Sequence, residues 1–497
     1  MNIMTKRSSG ILLPIFSLPG PYGIGDFGKS AYNFVDFLEA AGQKNWQILP
    51  LGVTSYGDSP YQCLSAFAGN PYFIDLKTFV ELGYLSKFEV SKARLEKESK
   101  PIDYGHLFKA KMGLLKKAYK RAESTMEETL TDYLKEQGEW LRYFALYMAI
   151  KDFQSDKAWS DWDREYRHVG SPEVLAFEAA YQEEIKFWVF TQYFFEMQWQ
   201  RLKHYANQKG VSIIGDLPIY VAEDSADVWA RPDYFKLGTD HKPLTVAGVP
   251  PDAFSETGQL WGNPIYNWKQ MKQDGYRWWI ERIRHSFTRY DALRIDHFRG
   301  FEAYWEVEYG AETAAAGKWV KGPGLALFKA IHKALGPLNI IAEDLGYLTP
   351  EVKQLIEATG YPGMKVLQFA FDPEVESFYL PHHLTQNAVI YTGTHDNETI
   401  SGWLDNIPKK EFRKAVNYLK LNYDEGLNWG MIRGAWSSTA NLAVAPIQDF
   451  LDLDNSARIN VPSTIGNNWT WRLEESALTP ALAERIRGLT QLYGRDR

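Results

Sequence analysis

Short apolar runs rich in β-branched residues recur along the chain, and a polar or Gly/Pro turn follows each one. Eight such runs occupy residues 45–52, 70–76, 211–221, 292–301, 339–346, 364–371, 388–397 and 441–450. Their near-continuous apolar character is typical of strands buried on both faces, as in a parallel sheet that helices cover.

Helical patterns with recognisable ends lie between several of these runs. One helix is predicted to end at Gly210, just before the third strand, and another at Gly336, just before the fifth. Thr349 and Pro350 have the residue types of an N-cap and a first helical position. Eight alternating strands and helices predict an α/β fold, a (β/α)8 barrel. An open doubly wound sheet would give a similar alternation and stays an alternative.

Two long interruptions break the alternation within what we predict to be a single catalytic barrel, residues 1–497. Residues 77–185 are charged and mostly helical in pattern, which predicts a helical insertion. Residues 222–268 are predicted to be a loop-rich insertion. A loop of that length in a compact domain is usually functional or disordered, and its many aromatic residues argue against disorder. We therefore expect it to form part of a binding cleft.

Composition and charge narrow the classes of partner and compartment. The formal net charge of −7 disfavours nucleic acid and anionic membranes, which require a basic surface. A single cysteine, Cys63, excludes an intrachain disulfide framework and is predicted to be a small core residue. No apolar stretch is long enough to span a membrane, and Pro14 interrupts the only run resembling a signal peptide. These features predict a cytoplasmic protein.

Aromatic residues are unusually frequent, with 18 Trp, 29 Tyr and 27 Phe. Most are expected to fill the core. The remainder can provide flat platforms for sugar rings or other planar ligands.

Four carboxylates follow predicted strands in the same topological position. Asp216, Asp296, Glu343 and Asp396 come at the carboxyl ends of the third, fourth, fifth and seventh strands. In a (β/α)8 barrel those ends meet on one face, where active sites are assembled from several strands. We therefore predict that the four side chains lie close together.

Two of these carboxylates have neighbours that suit opposite protonation states. Arg294 lies two residues before Asp296 and so on the same face of the strand, where its guanidinium keeps the carboxylate ionised. Glu343 follows the apolar residues IIA, a setting that raises the pKa of a glutamate towards that of a general acid. One ionised and one protonated carboxyl group is the division of labour that glycoside cleavage needs. A purely structural ion pair is the alternative, weakened because such pairs add little net stability.

A metal site is a competing interpretation of the same cluster. Oxygen ligands suit Mg²⁺ or Ca²⁺, and the histidines beside Asp296 and Asp396 could suit Mn²⁺ or Zn²⁺. The sequence contains neither a DxDxDG loop nor an HExxH motif. We predict no metal and no cofactor.

The whole chain resembles the amylomaltase (disproportionating enzyme) family of 4-α-glucanotransferases, glycoside hydrolase family 77, which is related to the α-amylases. The motifs that carry the resemblance are SGILLPIFSLPGPYGIGDFG, SYGDSPYQ, NPYFIDL, IIGDLPIYVAEDSADVW, AGVPPDAFSETGQLWGNPIYNW, ALRIDHFRGF, IIAEDLG, GMKVLQFAF, YTGTHDNET and RINVPSTIGNNWTWR. Their number and order imply a transferase acting on α-1,4-glucans.

The resemblance also implies roles for individual residues. Asp296 matches the family's nucleophile, Glu343 its acid/base, and Asp396 the third carboxylate that holds the distorted sugar. Sugar contacts are implied for Tyr61, Ser59, Asp216, Arg294, Trp261, His395, Asn460, Asp372 and Phe254. A retaining double displacement would place the carboxyl groups of Asp296 and Glu343 about 5–5.5 Å apart.

The resemblance extends to a lid and to ligands. Residues 247–262 resemble the family's lid over the acceptor sites, although Ala253 stands where many relatives carry an aromatic residue. Tyr56 matches a secondary glucan site. The implied ligands are maltooligosaccharides and starch- or glycogen-derived α-1,4-glucans, with glucose as an acceptor. A retaining α-glucan hydrolase and a glucan-binding protein without turnover stay open as alternatives.

Overall fold

A closed barrel of parallel strands forms the centre of the computed structural model. The structure describes residues 6–55, 57–95, 101–251, 255–346, 348–374 and 376–496. The described strands are β1 (Ser8–Leu12), β2 (Asn45–Gln47), β3 (Ser212–Leu217), β4 (Thr245–Val249), β5 (Gln259–Pro264), β6 (Ala292–Ile295), β7 (Ala303–Glu308), β8 (Lys318–Lys321), β9 (Ile340–Ala342), β10 (Gly363–Val366), β11 (Ala388–Tyr391) and β12 (Leu442–Pro446).

Helices lie between the barrel strands and around the barrel. They are α1 (Lys29–Ala40), α2 (Lys77–Glu81), α3 (Lys87–Lys92), α4 (Tyr104–Gln137), α5 (Glu139–Phe153), α6 (Pro172–Ala180), α7 (Gln182–Gln208), α8 (Ala226–Ala230), α9 (Trp268–Gln273), α10 (Arg277–Arg289), α11 (Leu325–Leu335), α12 (Pro350–Thr359), α13 (Ile400–Asn406), α14 (Lys409–Leu419), α15 (Leu427–Ser437), α16 (Ile447–Phe450) and α17 (Pro480–Leu492). Among the described residues, no helix is both long and apolar enough to cross a membrane.

The barrel runs in the order β1, β2, β3, β6, β9, β10, β11, β12, and β12 closes it by pairing in parallel with β1. Closure confirms the predicted (β/α)8 barrel and excludes the open doubly wound sheet. Its interior is packed with apolar side chains, among them Leu12, Ile214 and Val389. Branched side chains of this kind fill the interior of such barrels, so the functional face is at the strand ends.

One predicted strand is wrong and one barrel strand was missed. Residues 70–76 form a short 3₁₀ turn at Pro71–Phe73 because Pro71 has no N–H for a ladder and the Asn70 side chain accepts a hydrogen bond from the Tyr72 amide at 3.0 Å. The missed strand is β1. At Gly10 an added Cβ would lie 2.6 Å from the Asn45 carbonyl oxygen, so the glycine allows the backbones of β1 and β2 to approach closely. A strand that contains such a glycine shows less of the apolar pattern by which the other strands are predicted. The two errors cancel, and the numbering of the later strands is unchanged.

Both interruptions of the barrel contain regular structure. Helices α2 to α6 and the start of α7 lie within residues 77–185, and α7 packs against both α4 and α5. Residues 222–268 are predicted from the sequence to be rich in loops. They contain α8, the strands β4 and β5, and the first residue of α9. These strands join β7 and β8 in a four-stranded antiparallel sheet. The division into one barrel with two insertions stays a prediction.

Candidate active site

The four predicted carboxylates all lie at carboxyl ends of barrel strands. Asp216 is in β3 and pairs in register with Arg294 of β6, and Ile295 pairs with Ala342 of β9. Asp296 and Glu343 are therefore the next residues on neighbouring strands. Asp396 follows β11 by five residues, and its carboxylate lies 3.2 Å from Nε2 of the His395 ring.

Arg294 joins two of these carboxylates. Its Nη1 donates to both Oδ atoms of Asp216 at 2.8 Å, and its Nη2 lies 2.9 Å from Oδ1 of Asp296. The guanidinium side chain is only 4% exposed and that of Asp216 is fully buried, whereas the Asp296 side chain is 28% exposed. The arginine thus holds Asp296 in place and in its charged form while leaving part of that carboxylate accessible.

Glu343 is held by backbone amides instead of a cation. The His297 amide donates to Oε2 at 2.7 Å, and the Leu345 amide donates to Oε1 at 2.8 Å. His297 adopts a left-handed backbone conformation with φ of 49° immediately after Asp296. That turn links the positions of the two carboxyl groups because it directs the amide at Glu343.

The pKa values of both carboxyl groups are raised, and the charges beside them differ. Burial raises the pKa of Glu343 to about 7, and the negative charge of Asp296 adds to the rise. Burial also raises the pKa of Asp296, to about 6, although the Arg294 charge opposes the rise. The direct contact with Arg294 favours the ionised form of Asp296, whereas burial beside the Asp296 charge favours the protonated form of Glu343.

The pKa of Asp396 is lowered, in contrast to those of Asp296 and Glu343. Burial acts to raise its pKa, but the charge and hydrogen bond of His395 and a hydrogen bond from Asn460 outweigh it and hold the pKa at about 2. His395 Nε2 lies 3.2 Å from Oδ2, and Asn460 Nδ2 donates to Oδ1 at 2.7 Å. Arg458 donates to the Asp396 carbonyl oxygen at 2.6 Å. The carboxylate is therefore fixed in its ionised form, with a side chain that is 40% exposed.

Aromatic rings form one wall of the cluster. The Tyr61 and His395 rings stack with centroids 5.2 Å apart and planes 13° apart, and the Tyr61 hydroxyl donates to Asp216 at 2.8 Å. Ser59 accepts a hydrogen bond from the Tyr61 amide at 3.2 Å. The structure therefore brings the predicted contacts Tyr61, Ser59 and His395 to the same place as the carboxylates.

Trp261 approaches the carboxylates through His297. It is a residue of β5, and its ring meets the His297 ring edge-on with centroids 4.8 Å apart. Since His297 follows Asp296 and contacts Glu343, Trp261 borders the same cluster. Burial lowers the pKa of His297 to about 3, so the imidazole is neutral.

Asp372 has no hydrogen bond to the carboxylate cluster among the described residues. It is exposed, its carboxylate accepts from the Glu374 amide at 2.8 Å, and its carbonyl oxygen accepts from Lys414 at 2.5 Å. Among the described residues, these bonds connect it to the surface and not to the carboxylate cluster. Its sugar contact stays a prediction.

Three predicted residues cannot be placed. Phe254 and Ala253 of the predicted lid, and Tyr56 of the predicted secondary site, lie outside the described residues. The described part of the lid segment consists of residues 247–251 and 255–262 and contains the end of β4 and the start of β5.

Sequence reasoning missed two residues that contact this cluster. Arg458 binds the Asp396 backbone, and the Trp469 ring packs 5.9 Å from the ring centroids of both Tyr61 and His395. Both lie in the motif RINVPSTIGNNWTWR, from which only Asn460 was selected. The density of polar and aromatic residues in that motif was the available signal.

Two further predictions concern the Cys63 thiol and metal binding. Burial raises the pKa of the Cys63 thiol to about 12, which keeps it protonated and unreactive. Across the described ranges, no group of three or more His, Cys, Asp or Glu side chains is arranged to hold a metal ion. The absence of a cofactor stays a prediction.

Comparison with known proteins connects this geometry to a family. The family described as 4-alpha-glucanotransferase, glycoside hydrolase family 77, matches residues 13–479. The chain is 51% identical to the 4-alpha-glucanotransferase of Clostridium butyricum over 97% of this chain and 99% of that one. It is 50% identical to the 4-alpha-glucanotransferase of Streptococcus pneumoniae serotype 4 over 99% of this chain and 98% of that one.

A solved structure agrees with these sequences. The amylomaltase from Streptococcus agalactiae, in complex with acarbose, superposes with a TM-score of 0.96 at 43% identity, covering 99% of this chain and all of that one. The resemblance drawn from the motifs is thereby confirmed. This chain belongs to the 4-α-glucanotransferase family, enzymes that transfer glycosyl groups of α-1,4-glucans.

Proposed function

We propose that this chain transfers a segment of an α-1,4-glucan to the 4-hydroxyl of another sugar by a retaining double displacement. The observation that carries the mechanism is a pair of carboxyl groups at neighbouring strand ends with different partners. Arg294 lies 2.9 Å from Asp296 and favours its ionised form, whereas burial raises the pKa of Glu343 to about 7 and favours its protonated form. A retaining glycosidase mechanism requires this division of roles.

In the first step Asp296 acts as the nucleophile. One of its oxygens forms a bond to the anomeric carbon of the donor, and the bond from that carbon to the leaving O4 breaks. Glu343 gives its proton to O4, so the leaving sugar departs as a neutral alcohol. The product of this step is a β-linked glycosyl ester on Asp296 and an ionised Glu343.

In the second step Glu343 acts as the base. It accepts the proton of the acceptor's 4-hydroxyl, whose oxygen forms the new bond to the anomeric carbon. The ester bond to Asp296 breaks, which restores the Asp296 carboxylate and the protonated Glu343. Two inversions give net retention, and the number of glycosidic bonds is unchanged.

The other clustered residues are proposed to bind the sugar at the reacting carbon. Asp396, which His395 and Asn460 hold ionised, can accept hydrogen bonds from sugar hydroxyls. Tyr61 offers a flat ring face next to Asp216. Trp261 and the lid residue Phe254 are proposed to contact the acceptor, and Tyr56 a more distant part of the glucan.

Transfer is proposed over hydrolysis because relatives at 50–51% identity along the full length carry the name 4-alpha-glucanotransferase. The chemistry of Asp296 and Glu343 alone would serve both reactions. Donors are proposed to be maltooligosaccharides and glucans derived from starch or glycogen, with glucose as an acceptor. The single cysteine suits the reducing cytoplasm, where we place the enzyme.

Incubation with maltotriose tests this proposal. Transfer gives glucose together with longer maltooligosaccharides while the concentration of reducing ends stays constant. Rising reducing ends without longer products would show a hydrolase instead. An unchanged substrate that nevertheless binds would show a glucan-binding protein without turnover.

A further inference from the structure

Trp469 combines burial against the site with a backbone conformation that tryptophan rarely adopts. Its φ is 63°, in the left-handed region, and the residue is only 5% exposed. A bulky side chain in this region costs conformational energy, and such residues persist where the surrounding structure imposes them. The contacts that impose the conformation show what the residue does.

Two backbone hydrogen bonds fix Trp469. Its amide donates to the Ile459 carbonyl oxygen at 2.8 Å, which closes a loop formed by residues 460–468. Its carbonyl oxygen accepts from the hydroxyl of Tyr104, the first residue of α4, at 2.9 Å. The Trp469 backbone is thus held between the loop and the start of α4.

The same loop contacts the active site at both of its ends. At its start, Asn460 donates to the Asp396 carboxylate, and its amide donates to the His395 carbonyl oxygen at 3.1 Å. At its end, the Trp469 ring packs on Tyr61 and His395, with interplanar angles of 44° and 40°. Tyr61 and His395 in turn contact the carboxylates of Asp216 and Asp396.

We propose that Trp469 is a positioning residue, held by Tyr104, that fixes the stacked Tyr61 and His395 rings and through them the hydrogen bonds to Asp216 and Asp396. This inference rests on the proposed function of that site. Trp469 itself does not contact the reacting atoms. Without the indole, Tyr61 and His395 lose their packing partner, and the sugar that they bind is held less accurately.

The variant Trp469→Leu tests the proposal by steady-state kinetics with maltotriose. Misplacing binding groups by about 1 Å can reduce turnover about 10²-fold, so we expect kcat to fall by about that factor while KM changes less than about threefold. Trp469→Phe keeps an aromatic ring against both partners and should recover most of the loss. Trp429→Leu is the matched control because Trp429 is similarly buried, at 6% exposure, but its ring packs on Phe450 and Arg485 instead of on Tyr61 and His395.

A smaller change tests the same idea if Trp469→Leu does not fold. Tyr104→Phe removes only the hydroxyl that binds the Trp469 carbonyl, and we expect kcat to fall about fivefold at unchanged KM. An unchanged kcat in Tyr104→Phe, or in folded Trp469→Leu, would overturn the proposal. The proposal would also be overturned if Trp469→Leu and Trp429→Leu were destabilised equally in urea unfolding and lost activity to the same extent.

These outcomes are separate from failure of the proposed function. If the wild-type enzyme does not lengthen maltotriose, the proposed transferase function itself is contradicted. If the wild-type enzyme transfers and Trp469→Leu and Tyr104→Phe keep its kcat, only the positioning role is contradicted.

Discussion

At the carboxyl end of the barrel strands Arg294 contacts two carboxylates, whereas at the amino end Arg495 contacts backbone carbonyl groups and a hydroxyl. Both arginines are buried. Arg495 donates to the carbonyl oxygens of Ser8 at 2.9 Å and Trp436 at 2.8 Å, and so ties the end of the chain to the start of β1. Burial and the charge of nearby Arg7 lower the pKa of Arg495, so its position has an electrostatic cost.

The difference separates two uses of a buried cation. Arg294 stabilises charges that the chemistry needs, and the carboxylates beside it repel one another when it is absent. Arg495 satisfies carbonyl groups that strand and helix ends leave unpaired. We therefore expect variants at the carboxyl end to lose activity while remaining folded, and variants at the amino end to lose stability while remaining active.

The largest effect is expected from removing either reacting carboxyl group. Asp296→Asn and Glu343→Gln should each reduce turnover of maltotriose by about 10⁴-fold or more, because each removes a group that forms or breaks a bond. Urea unfolding should be little changed. Product analysis by chromatography gives the rates, and Glu374→Gln, an exposed carboxyl group, is the control. Wild-type turnover in either variant would contradict the assigned roles.

A smaller loss is expected from Arg294→Lys. Lysine keeps the charge but cannot contact Asp216 and Asp296 together as the guanidinium does. We expect kcat to fall about 10²-fold. Because Arg294 lowers the pKa of Asp296, weakening the contact should also move the acidic limb of the kcat/KM profile to higher pH. A profile that keeps its acidic limb would show that the two groups are not coupled.

The wild-type pH profile tests the expected protonation states of Asp296 and Glu343 without any substitution. Asp296 must be ionised, so kcat/KM should fall as the pH drops through about 6, and Glu343 must be protonated, so it should fall as the pH rises through about 7. The two limbs belong to the interacting pair. A flat profile between pH 5 and 9 would contradict the assignment.

The smallest effect on activity is expected at the amino end. Arg495→Met removes the charged donor to the Ser8 and Trp436 carbonyl oxygens, of which Trp436 keeps a hydrogen bond from Arg7, and this should cost about 2 kcal/mol of unfolding free energy. The midpoint of urea unfolding should move to a lower concentration, while kcat in the folded range stays within about twofold of wild type. A large loss of kcat in fully folded protein would show that the two ends are not separate.

The sequence predicts the positions of the carboxylates in this barrel better than the positions of the side chains that surround them. Asp296 and Glu343 directly follow apolar strands, and barrel geometry brings such positions together whatever the rest of the chain does. The strand β1 escaped prediction because its five residues include Gly10, which serves a close backbone contact and carries no apolar signal.

Trp469 could not be predicted from periodicity. It reaches Tyr61, about 400 positions earlier in the chain, through a loop with left-handed residues at Ser463 and Asn467. Such loops are fixed by tertiary hydrogen bonds, here from Tyr104, and no local pattern encodes those partners.

The central claim is that Asp296 forms a covalent bond to the transferred sugar. We would incubate Glu343→Gln with α-maltotriosyl fluoride, whose leaving group needs no proton, and digest the protein for mass spectrometry. A nucleophilic Asp296 should give a maltotriosyl adduct on the peptide that contains it, because the first step proceeds and the second lacks its base. An adduct on another residue, or free maltotriose released at the wild-type rate with no adduct, would contradict it.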